Sequence, residues 1–341
     1  MSTTNATRNQ HFVSRSEQRL NASSADGDHI YEFMIQRQGI AEDIRLSAPK
    51  RRRIGGNLTI DDLFSFDVAP EANLRNNFEE LFQQYEAKVA TLTSSLLAKA
   101  AVRSSDVVGE LADLLSAKLM NFVRNPFSIE RMLNTFPNLK GLRPTDPAKN
   151  ALLEKVLNGR NPRQKYICNQ LQVSNGQYRE WLATMFMLLE DFGPSQTNFL
   201  NQIVAGMFNS RDTSACAMVC TYSSQKVLLS DRATSSNIAN GPKGNGFDFN
   251  LSGSAFVRYL FMDKAALVEG KAHPDFVAYA LEVDRQQKPR LWIRYEHDVL
   301  PILQNYNWHA VNQSYQRVFC ASKTPLLTDA QIEALAAAIV L

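Results

Sequence analysis

Apolar residues recur every three or four positions through the middle of the chain, a spacing that predicts a block of amphipathic helices over 73–210. The first helix starts at Asn73, and its apolar stripe comprises Phe78, Leu81, Phe82, Tyr85, Val89, Leu92 and Leu96. The second starts near Ser105 and Asp106, a pair suited to an N-cap, and ends before Pro126, because proline disfavours helix in the preceding residue. Further helices are predicted over 148–158, 175–191 and 196–208.

Strand-like patterns stand on both sides of this block. Before it, "HIYEFMI" (29–35) is rich in apolar and aromatic residues, and "DIRLS" (43–47) predicts a second extended stretch. After it, 214–231 contains β-rich runs, and a glycine-rich loop over 240–253 leads into a strand over 255–262. The remaining elements are a helix near 274–285, a segment over 290–296 that is either a strand or the start of the helix over 298–319, and a final helix capped by Thr328 and Gln331.

The elements therefore follow the order β, then all α, then mixed β and α, which differs from the alternation of a doubly wound sheet. This order predicts an α+β fold, in which a mixed sheet contains a large inserted helical block. Residues 1–9 are predicted to be a disordered tail, and 10–341 to form a single domain. Within that domain we expect a β-rich opening over 10–60, the helical block over 73–210 and a mixed β/α part over 214–341.

Composition and charge narrow the class of protein. With 44% hydrophobic and 21% charged residues among 341, the chain has the composition of a globular protein with a sizeable core. A net charge of +3 does not by itself imply a polyanionic partner, and the basic run at 50–53 is either a solvated loop or a contact to phosphate or nucleic acid. No apolar run approaches the ~20 residues of a membrane-spanning helix, and the N-terminus lacks a secretory signal, so no membrane association is expected.

The cysteine spacing and the absence of known catalytic motifs exclude several classes of site and enzyme. Because Cys216 and Cys220 have no second Cys or His pair at zinc-ligand spacing, they are expected to be buried thiols in a reducing cytoplasm, as are Cys168 and Cys320. The sequence contains no G-x-S-x-G, no H-E-x-x-H, no P-loop and no Rossmann glycine pattern. We therefore expect a cytoplasmic protein outside these enzyme classes.

The best titratable candidate is His11, in the opening stretch "NQHFVSRSEQRLNA" (9–22). An imidazole with a pKa near neutrality suits proton transfer, metal binding or phosphate contact, and the alternative is a histidine that only hydrogen-bonds the backbone. Nearby, Arg15, Glu17 and Arg19 fall within two helical turns and are expected to form a local ion pair.

The same stretch should be buried on both sides, because Phe12 and Val13 are adjacent, apolar and face opposite ways in an extended segment. We expect it to lie beside the "VLLSD" strand (227–231). That arrangement would place His11 next to Asp231, whose carboxylate would orient the imidazole and favour its charged form.

The acidic candidates are Glu79, Glu86 and Asp231. Glu79 and Glu86 lie seven residues apart on one helical face, ~10 Å along the axis, where an exposed acidic face is the alternative to a site. Asp231 ends an apolar strand, a common place for chemistry or metal binding, although a turn or cap residue would look the same. Arg124, before a proline at a helix end, either caps helix carbonyls or meets an anion.

Several landmarks follow one another in an order that points to a family. The opening "HFVSRSEQR" resembles a His-Tyr-Val-Pro-Gln-Phe-Tyr-Leu-Arg motif through His11, Phe12, Val13 and Arg19. The later landmarks are the strand "HIYEFMI", the paired glutamates Glu79 and Glu86, Arg124 and Pro126 at a helix end, Ser230 and Asp231 at a strand end, Leu251 and Ser252 in a strand, and Asn312 in a terminal helix. Across nearly its whole length the chain resembles the bacterial domain-of-unknown-function family 4238. The resemblance implies a shared fold and carries no activity.

Two functions from different classes fit these observations. The first is a nuclease-like enzyme that acts on nucleic acid or a nucleotide, in bacterial phage defence. Its catalytic groups would be His11, Glu79 and Asp231, and its substrate-binding groups would be Arg19, Arg124 and Asn312. The sequence does not decide whether this enzyme uses a divalent metal ion. The second is a non-catalytic module that binds a protein partner and in which these polar residues are structural. Convergence of His11, Asp231 and Asn312 on a cleft would favour the enzyme.

Overall fold

The computed structural model describes residues 7–23, 27–38, 43–69, 74–192, 197–236 and 243–327. Over these ranges the chain has the predicted α+β fold, with eleven α-helices and mixed sheets. The first six residues and the final helix predicted from the cap at Thr328 and Gln331 lie outside the described residues.

Short strands and one helix make up the opening part of the chain: β1 (Asn9–His11), α1 (Arg15–Leu20), β2 (His29–Gln38), β3 (Asp43–Leu46), β4 (Lys50–Arg53), β5 (Thr59–Asp61), β6 (Ser65–Ala69) and β7 (Leu74–Asn77). The strands predicted over 29–35 and 43–47 are confirmed as β2 and β3. The basic run is itself a strand, β4, which pairs with β2 and is exposed at every position. The helix predicted from Asn73 is shorter, because 74–77 pairs with β6 as a strand.

Seven helices follow: α2 (Glu79–Ala101), α3 (Val108–Arg124), α4 (Ile129–Thr135), α5 (Pro147–Asn158), α6 (Gln164–Leu171), α7 (Asn175–Leu189) and α8 (Phe199–Asn209). The helices predicted over 148–158, 175–191 and 196–208 are confirmed as α5, α7 and α8. The predicted cap of α3 is wrong: its N-cap is Val107, and the Asp106 carboxylate pairs with Lys99 instead. None of the helices in the described ranges is long and apolar enough to cross a membrane.

The last part of the chain mixes both kinds of element: β8 (Thr213–Thr221), β9 (Leu229–Ser230), β10 (Gly244–Ser252), β11 (Ala255–Asp263), α9 (Lys264–Val268), α10 (Pro274–Arg285), β12 (Leu291–His297), α11 (Leu300–Gln313) and β13 (Arg317–Cys320). The strand over 255–262 and the helix near 274–285 are confirmed. Two predictions are wrong, because non-local pairing decides these segments: the described end of the predicted loop is β10, paired with β11, and the predicted helix over 298–319 ends at Gln313 before β13.

Two larger sheets organise these strands. One has the order β3-β2-β13-β9, with β4 also paired to β2, so it joins strands that precede the helices to strands that follow them. The helical block is therefore inserted between strands of one sheet, as the order of elements predicts. The other sheet has the order β10-β11-β8-β12, and β12 is parallel to β8.

The hydrophobic core joins the helical block to the opening strands around Trp181 of α7. This side chain is fully buried, packs near Phe64 with ring centroids 5.8 Å apart, and donates a hydrogen bond from Nε1 to the Val123 carbonyl at 2.8 Å. On the same helix, the Tyr178 hydroxyl donates to the Leu63 carbonyl at 2.7 Å. Helix α7 thereby fixes the turn between β5 and β6 against the end of α3, near the polar cluster described below.

The close approach of α5 to β6 requires a glycine at position 159. A Cβ added there would lie 2.2 Å from the Phe66 carbonyl oxygen and 2.3 Å from that of Lys155, both of them backbone atoms. In addition, the Val68 N–H donates to the Arg160 carbonyl at 2.7 Å, so β6 and the segment after α5 cannot separate without losing this hydrogen bond.

We expect Gly159→Ala to destabilise the protein by about 2 kcal/mol, because the backbone must shift to admit the methyl group. Gly206→Ala is the matched control: its Cβ would meet nothing within 4 Å, and alanine in the exposed middle of α8 should add up to ~1 kcal/mol of stability. Urea unfolding of the two variants measures both changes. Equal effects on the two variants would contradict the packing described here.

Candidate functional site

Helix α1 holds the opening stretch against the body of the protein. Ser14 is its N-cap, and the Ser14 hydroxyl oxygen accepts the Glu17 N–H at 3.1 Å. Phe12 and Val13 are both buried, as expected for a segment covered on two sides. The strand beside this segment is not "VLLSD", however, because β1 pairs with β5.

The Glu17 side chain does not form the local ion pair expected with Arg15 and Arg19. It is buried, and its carboxylate accepts hydrogen bonds from the ammonium group of Lys118, from Asn121 Nδ2 at 2.6 Å and from the Ser14 hydroxyl at 3.2 Å. Burial alone would raise the pKa of Glu17, but Lys118 and Asn121 together hold it below its usual value. Glu17 is therefore a buried carboxylate that ties α1 to α3.

Arg124 lies one turn beyond Asn121, at the end of α3, and extends this polar network to α2. Its side chain is buried, its Nη2 donates to Asn121 Oδ1 at 2.8 Å, and its Nη1 donates to Glu86 Oε1. The guanidinium also lies 5.1 Å from the centre of the Phe82 ring. Both Nη groups are thus occupied by protein groups and hold the Glu86 carboxylate in place, while the buried Nε has no hydrogen-bond partner in the described ranges.

His11 stands at the outer edge of the network. Its Nε2 accepts the Nε–H of Arg15 at 2.8 Å, and its Nδ1 lies 3.4 Å from Gln18 Nε2. Burial and the positive charges of Arg15 and Arg124 together lower the pKa of His11 to about 4, and a hydrogen bond to the Asn57 backbone opposes them. The imidazole is therefore neutral at physiological pH, and its lone pair holds the Arg15 guanidinium in place.

Glu79, in the first turn of α2, has the opposite shift. Burial raises the pKa of Glu79 to about 7, with the Arg124 charge opposing, Glu86 adding to the rise and Arg15 opposing. Its Oε1 is buried and has no hydrogen-bond partner within the described ranges. A carboxyl group that is half ionised at neutral pH and incompletely bonded is suited to accept and return a proton.

These residues form one acid–base cluster, which we define as His11, Arg15, Glu79, Glu86 and Arg124. Arg124 and Arg15 act on both His11 and Glu79, which places the two titratable groups in one electrostatic environment with their pKa values displaced in opposite directions. Arg15 is exposed and forms no ion pair with any described residue. The cluster therefore combines a proton-transfer group with an accessible cation.

The structure brings some of the predicted site residues together and places others elsewhere. His11, Glu79 and Arg124 come together, and Arg19 is near enough to lower the pKa of His11 slightly. Lys118 and Asn121, the partners of Glu17 in this network, are absent from the predicted site residues. Lys118 did carry a signal, because it falls at helical spacing within the apolar stripe of α3 formed by Leu111, Leu115 and Phe122.

Asp231 has a backbone-binding role instead of facing His11. Its Oδ1 accepts the Tyr315 N–H at 2.8 Å, and its Oδ2 accepts the N–H groups of Gln316 at 2.7 Å and Arg317 at 2.9 Å. Burial raises the pKa of Asp231, and the three N–H groups oppose that rise. The expected orientation of the His11 imidazole by this carboxylate is wrong, because both carboxylate oxygens are committed to the turn before β13. Phe12 and Asp231 do line one small cavity of about 120 Å³.

Asn312 also lies apart from the acid–base cluster. Its side chain donates to the Trp308 carbonyl of its own helix at 2.8 Å, and its backbone carbonyl accepts from Arg37 at 3.3 Å. His11, Asp231 and Asn312 therefore do not share one cleft. Within the described ranges, no three His, Cys, Asp or Glu side chains come together as they would around a metal ion.

No family model, no curated protein and no solved structure matches this chain. The resemblance to family 4238 stays a prediction. What the chain does must be inferred from the chemistry of its own side chains.

The two displaced pKa values predict a distinctive pH dependence of stability. A folded-state pKa of about 7 for Glu79, against 4.5 when exposed, gives stability that is present below pH 4.5 and lost as the pH rises through 7. For His11, lowered from 6.5 to about 4, stability is present above pH 6.5 and lost as the pH falls through 4.

Glu79→Gln should therefore stabilise the protein relative to wild type by about 1 kcal/mol at pH 8 and by much less at pH 4.5, after allowance for partial exposure. His11→Gln should change stability at acidic pH instead: the variant should lose less stability than wild type between pH 6.5 and 4. Denaturant unfolding across this pH range measures both effects. If the stability of wild type and of Glu79→Gln changes with pH in the same way, the pKa of the Glu79 carboxyl group is not raised in the folded protein.

Proposed function

We propose that the acid–base cluster cleaves a phosphate ester in a nucleotide or nucleic acid, as a nuclease-like enzyme does. One observation carries this proposal: the Glu79 carboxyl combines a pKa of about 7 with a buried oxygen that lacks a partner in the described ranges. Perturbed and incompletely bonded groups of this kind concentrate at catalytic sites. The exposed arginine beside it indicates an anionic substrate.

In this proposal each residue has a separate task. The Glu79 carboxylate removes the proton from the attacking hydroxyl or water, the new P–O bond forms as the bond to the leaving oxygen breaks, and Glu79 returns the proton to that oxygen. Arg15 binds the phosphoryl oxygens and offsets their negative charge. Neutral His11 orients Arg15 through the 2.8 Å contact between His11 Nε2 and Arg15 Nε.

Arg124 and Glu86 are positioning residues in this scheme. The buried guanidinium of Arg124 is anchored on Asn121 and Glu86, so its charge acts on Glu79 without moving. Glu86 raises the pKa of Glu79 and Arg124 lowers it, and burial, the largest cause of the shift, sets the direction of the outcome. The network therefore keeps the base near the pH at which it can both accept and release a proton.

Glu79→Gln should lower kcat/KM for phosphodiester cleavage by about 10²–10⁴, because the amide cannot take a proton. The wild-type rate should rise with pH through about 7, following ionisation of Glu79. The measurement is release of labelled product from RNA, DNA and nucleotides, with and without Mg²⁺. Glu80→Gln, one residue further along α2, is the matched control and should retain the rate.

Absence of cleavage of all three substrates between about pH 5 and pH 9 would end this proposal. Equal rates for Glu79→Gln and wild type would also end it, since another group would then carry the reaction.

A second candidate, a protein-interaction module, is favoured by an exposed apolar groove beside α10. None of the residues of this helix is buried, and Phe276, Tyr279 and Trp292 are 64%, 69% and 63% exposed. A cavity of about 630 Å³ lies between α10, α9 and the first residues of β12. Apolar surface of this kind marks sites where a partner docks.

The charges around the groove favour an acidic amphipathic helix as the partner. Lys264, Lys271, Lys288 and Arg290 line it, and Asp284, the one acidic residue among the described residues of its lining, pairs with Lys264 at 2.5 Å. A second copy of the chain would set these cations against one another, which is unfavourable. A helix with apolar and acidic residues on one face would fit both the aromatic surface and the charge.

An acidic amphipathic helical peptide should bind the protein and change the fluorescence of Trp292, whereas a peptide with the same apolar face and lysines in place of its acids should bind at least ~10-fold more weakly. Phe276→Asp should abolish binding. Tyr166→Asp, which changes an aromatic residue of similar exposure on α6, is the control and should not affect it. Equal binding of the acidic and basic peptides would contradict the proposed partner.

A further inference from the structure

One edge of the second sheet has no partner strand in the described part of the chain. In the order β10-β11-β8-β12, strand β12 comes last, and it pairs with β8 alone. Many edge strands avoid further pairing through a bulge or a proline, but β12 is regular along all seven residues and contains neither. This edge can therefore accept another strand.

The hydrogen bonds of β12 identify the backbone groups that point away from β8. Just after the strand, the Asp298 N–H donates to the Thr221 carbonyl of β8 at 2.9 Å, and successive residues of a strand direct their backbone groups to opposite sides. The odd-numbered residues Leu291, Ile293 and Tyr295 therefore point their N–H and C=O groups outward. Within the described ranges, no group bonds to these outward N–H and C=O groups.

The side chains of these three residues are also incompletely covered. They pack against the core between this sheet and the helices but are only half-buried. In the neighbouring strand, Ala217 lies beside Ile293 and Val219 lies beside Tyr295, and both are fully buried. A strand added along β12 would cover the remaining apolar surface as well as the free backbone groups.

We propose that β12 pairs with β12 of a second copy of this chain, antiparallel and with Ile293 opposite Ile293. Leu291 of each copy then lies opposite Tyr295 of the other, so every outward-facing residue meets an outward-facing residue. In an antiparallel ladder such residues exchange both of their backbone hydrogen bonds. The two sheets become one across a two-fold axis, the symmetry of the commonest homodimers.

Opposite charges meet in this register. Arg290 of each copy lies opposite Glu296 of the other, and just outside the strand Lys288 lies opposite Asp298. Arg290 and Lys288 are exposed and form no ion pair with a described residue, so their charges are free for this contact. These two cations also line the α10 groove, and edge-to-edge pairing brings each of them to an acidic side chain instead of to the cations of the other copy.

Two exposed side chains of β12 select the register. Trp292, 63% exposed, lies opposite Arg294 of the other copy, 65% exposed, and a guanidinium on an indole ring is a favourable cation–π contact. A shift of two residues in either direction would instead set Arg294 opposite either Arg294 or Arg290, which like-charge repulsion disfavours. The register centred on Ile293 is therefore the one that the side chains favour.

This contact goes beyond the proposed function and shares no residue with the acid–base cluster. It is measured as molecular mass, whereas the catalytic proposal is measured as product release and the groove as peptide binding. Failure of one of these proposals is therefore distinguishable from failure of another.

The test is sedimentation equilibrium of the full chain from ~1 to ~500 µM. A contact made by one strand from each copy is small, so we expect a weak dimer, with a Kd on the order of 10 µM. The mean mass should then rise from that of one chain to that of two across this concentration range. A mass that stays at one chain throughout would overturn the proposal and leave a strand of a different protein as the occupant of this edge.

Ile293→Pro should weaken the dimer at least ~10-fold, because it removes an outward N–H that the second copy needs as a donor. The variant should stay folded, since this N–H does not bond to β8 and proline is tolerated on an edge strand in that orientation. Ile293→Ala, which shortens the same side chain and keeps the N–H, is the matched control and should weaken the dimer much less. Equal dimerisation of Ile293→Pro and wild type would overturn the proposal.

Two charge reversals test the register and cover the case in which Ile293→Pro does not fold. Arg290→Glu and Glu296→Arg each set like charges opposite one another and should weaken the dimer at least ~10-fold when present alone. An equimolar mixture of the two variants should recover dimerisation, because each altered residue then meets an opposite charge on the other chain. A mixture that dimerises no better than either variant alone would overturn the proposal.

Discussion

The buried ion pair between Glu17 and Lys118 is the interaction on which the arrangement of the site depends. Two charges this deeply buried are tolerated only when each is bonded, since removal of one partner leaves an uncompensated charge that costs about 3–5 kcal/mol. Helix α1 must therefore dock on α3 in the position that brings Glu17 to Lys118 and Asn121. That position also fixes His11, which precedes α1, and Arg15, on its first turn.

Outward from this pair, polar atoms without a hydrogen-bond partner begin to appear. Glu17 and Lys118 are closed off from solvent and bonded to each other, whereas Arg124 has both Nη groups bonded to protein but a buried Nε without a partner in the described residues. At the edge, Glu79 has an unpartnered oxygen and Arg15 has no acidic partner in the described part of the chain. The buried part of the network gives rigidity, and the incompletely bonded part contains the groups that the proposed reaction uses.

The second organising feature is the turn before β13, where distant parts of the chain meet. Asp231 binds three N–H groups of this turn, and Arg37 binds two of its carbonyls, so β2, β9 and β13 are held in one sheet. This explains why Asp231 looks like a site residue in the sequence yet binds the backbone of a turn. A conspicuous carboxylate at a strand end serves the backbone when buried N–H groups need an acceptor.

The sequence by itself determined the elements whose signal is local. Local residue patterns located α5, α7 and α10 to within two residues, and the order of elements predicted the α+β class with its inserted helices. Residue type alone also selected His11, Glu79 and Arg124. Only the tertiary structure decided that 74–77 and 244–252 are strands, that Glu17 turns inward to Lys118, and that Asp231 serves a turn. Strand pairing, burial and pKa depend on groups far apart in the chain, and no local pattern encodes which of them will meet.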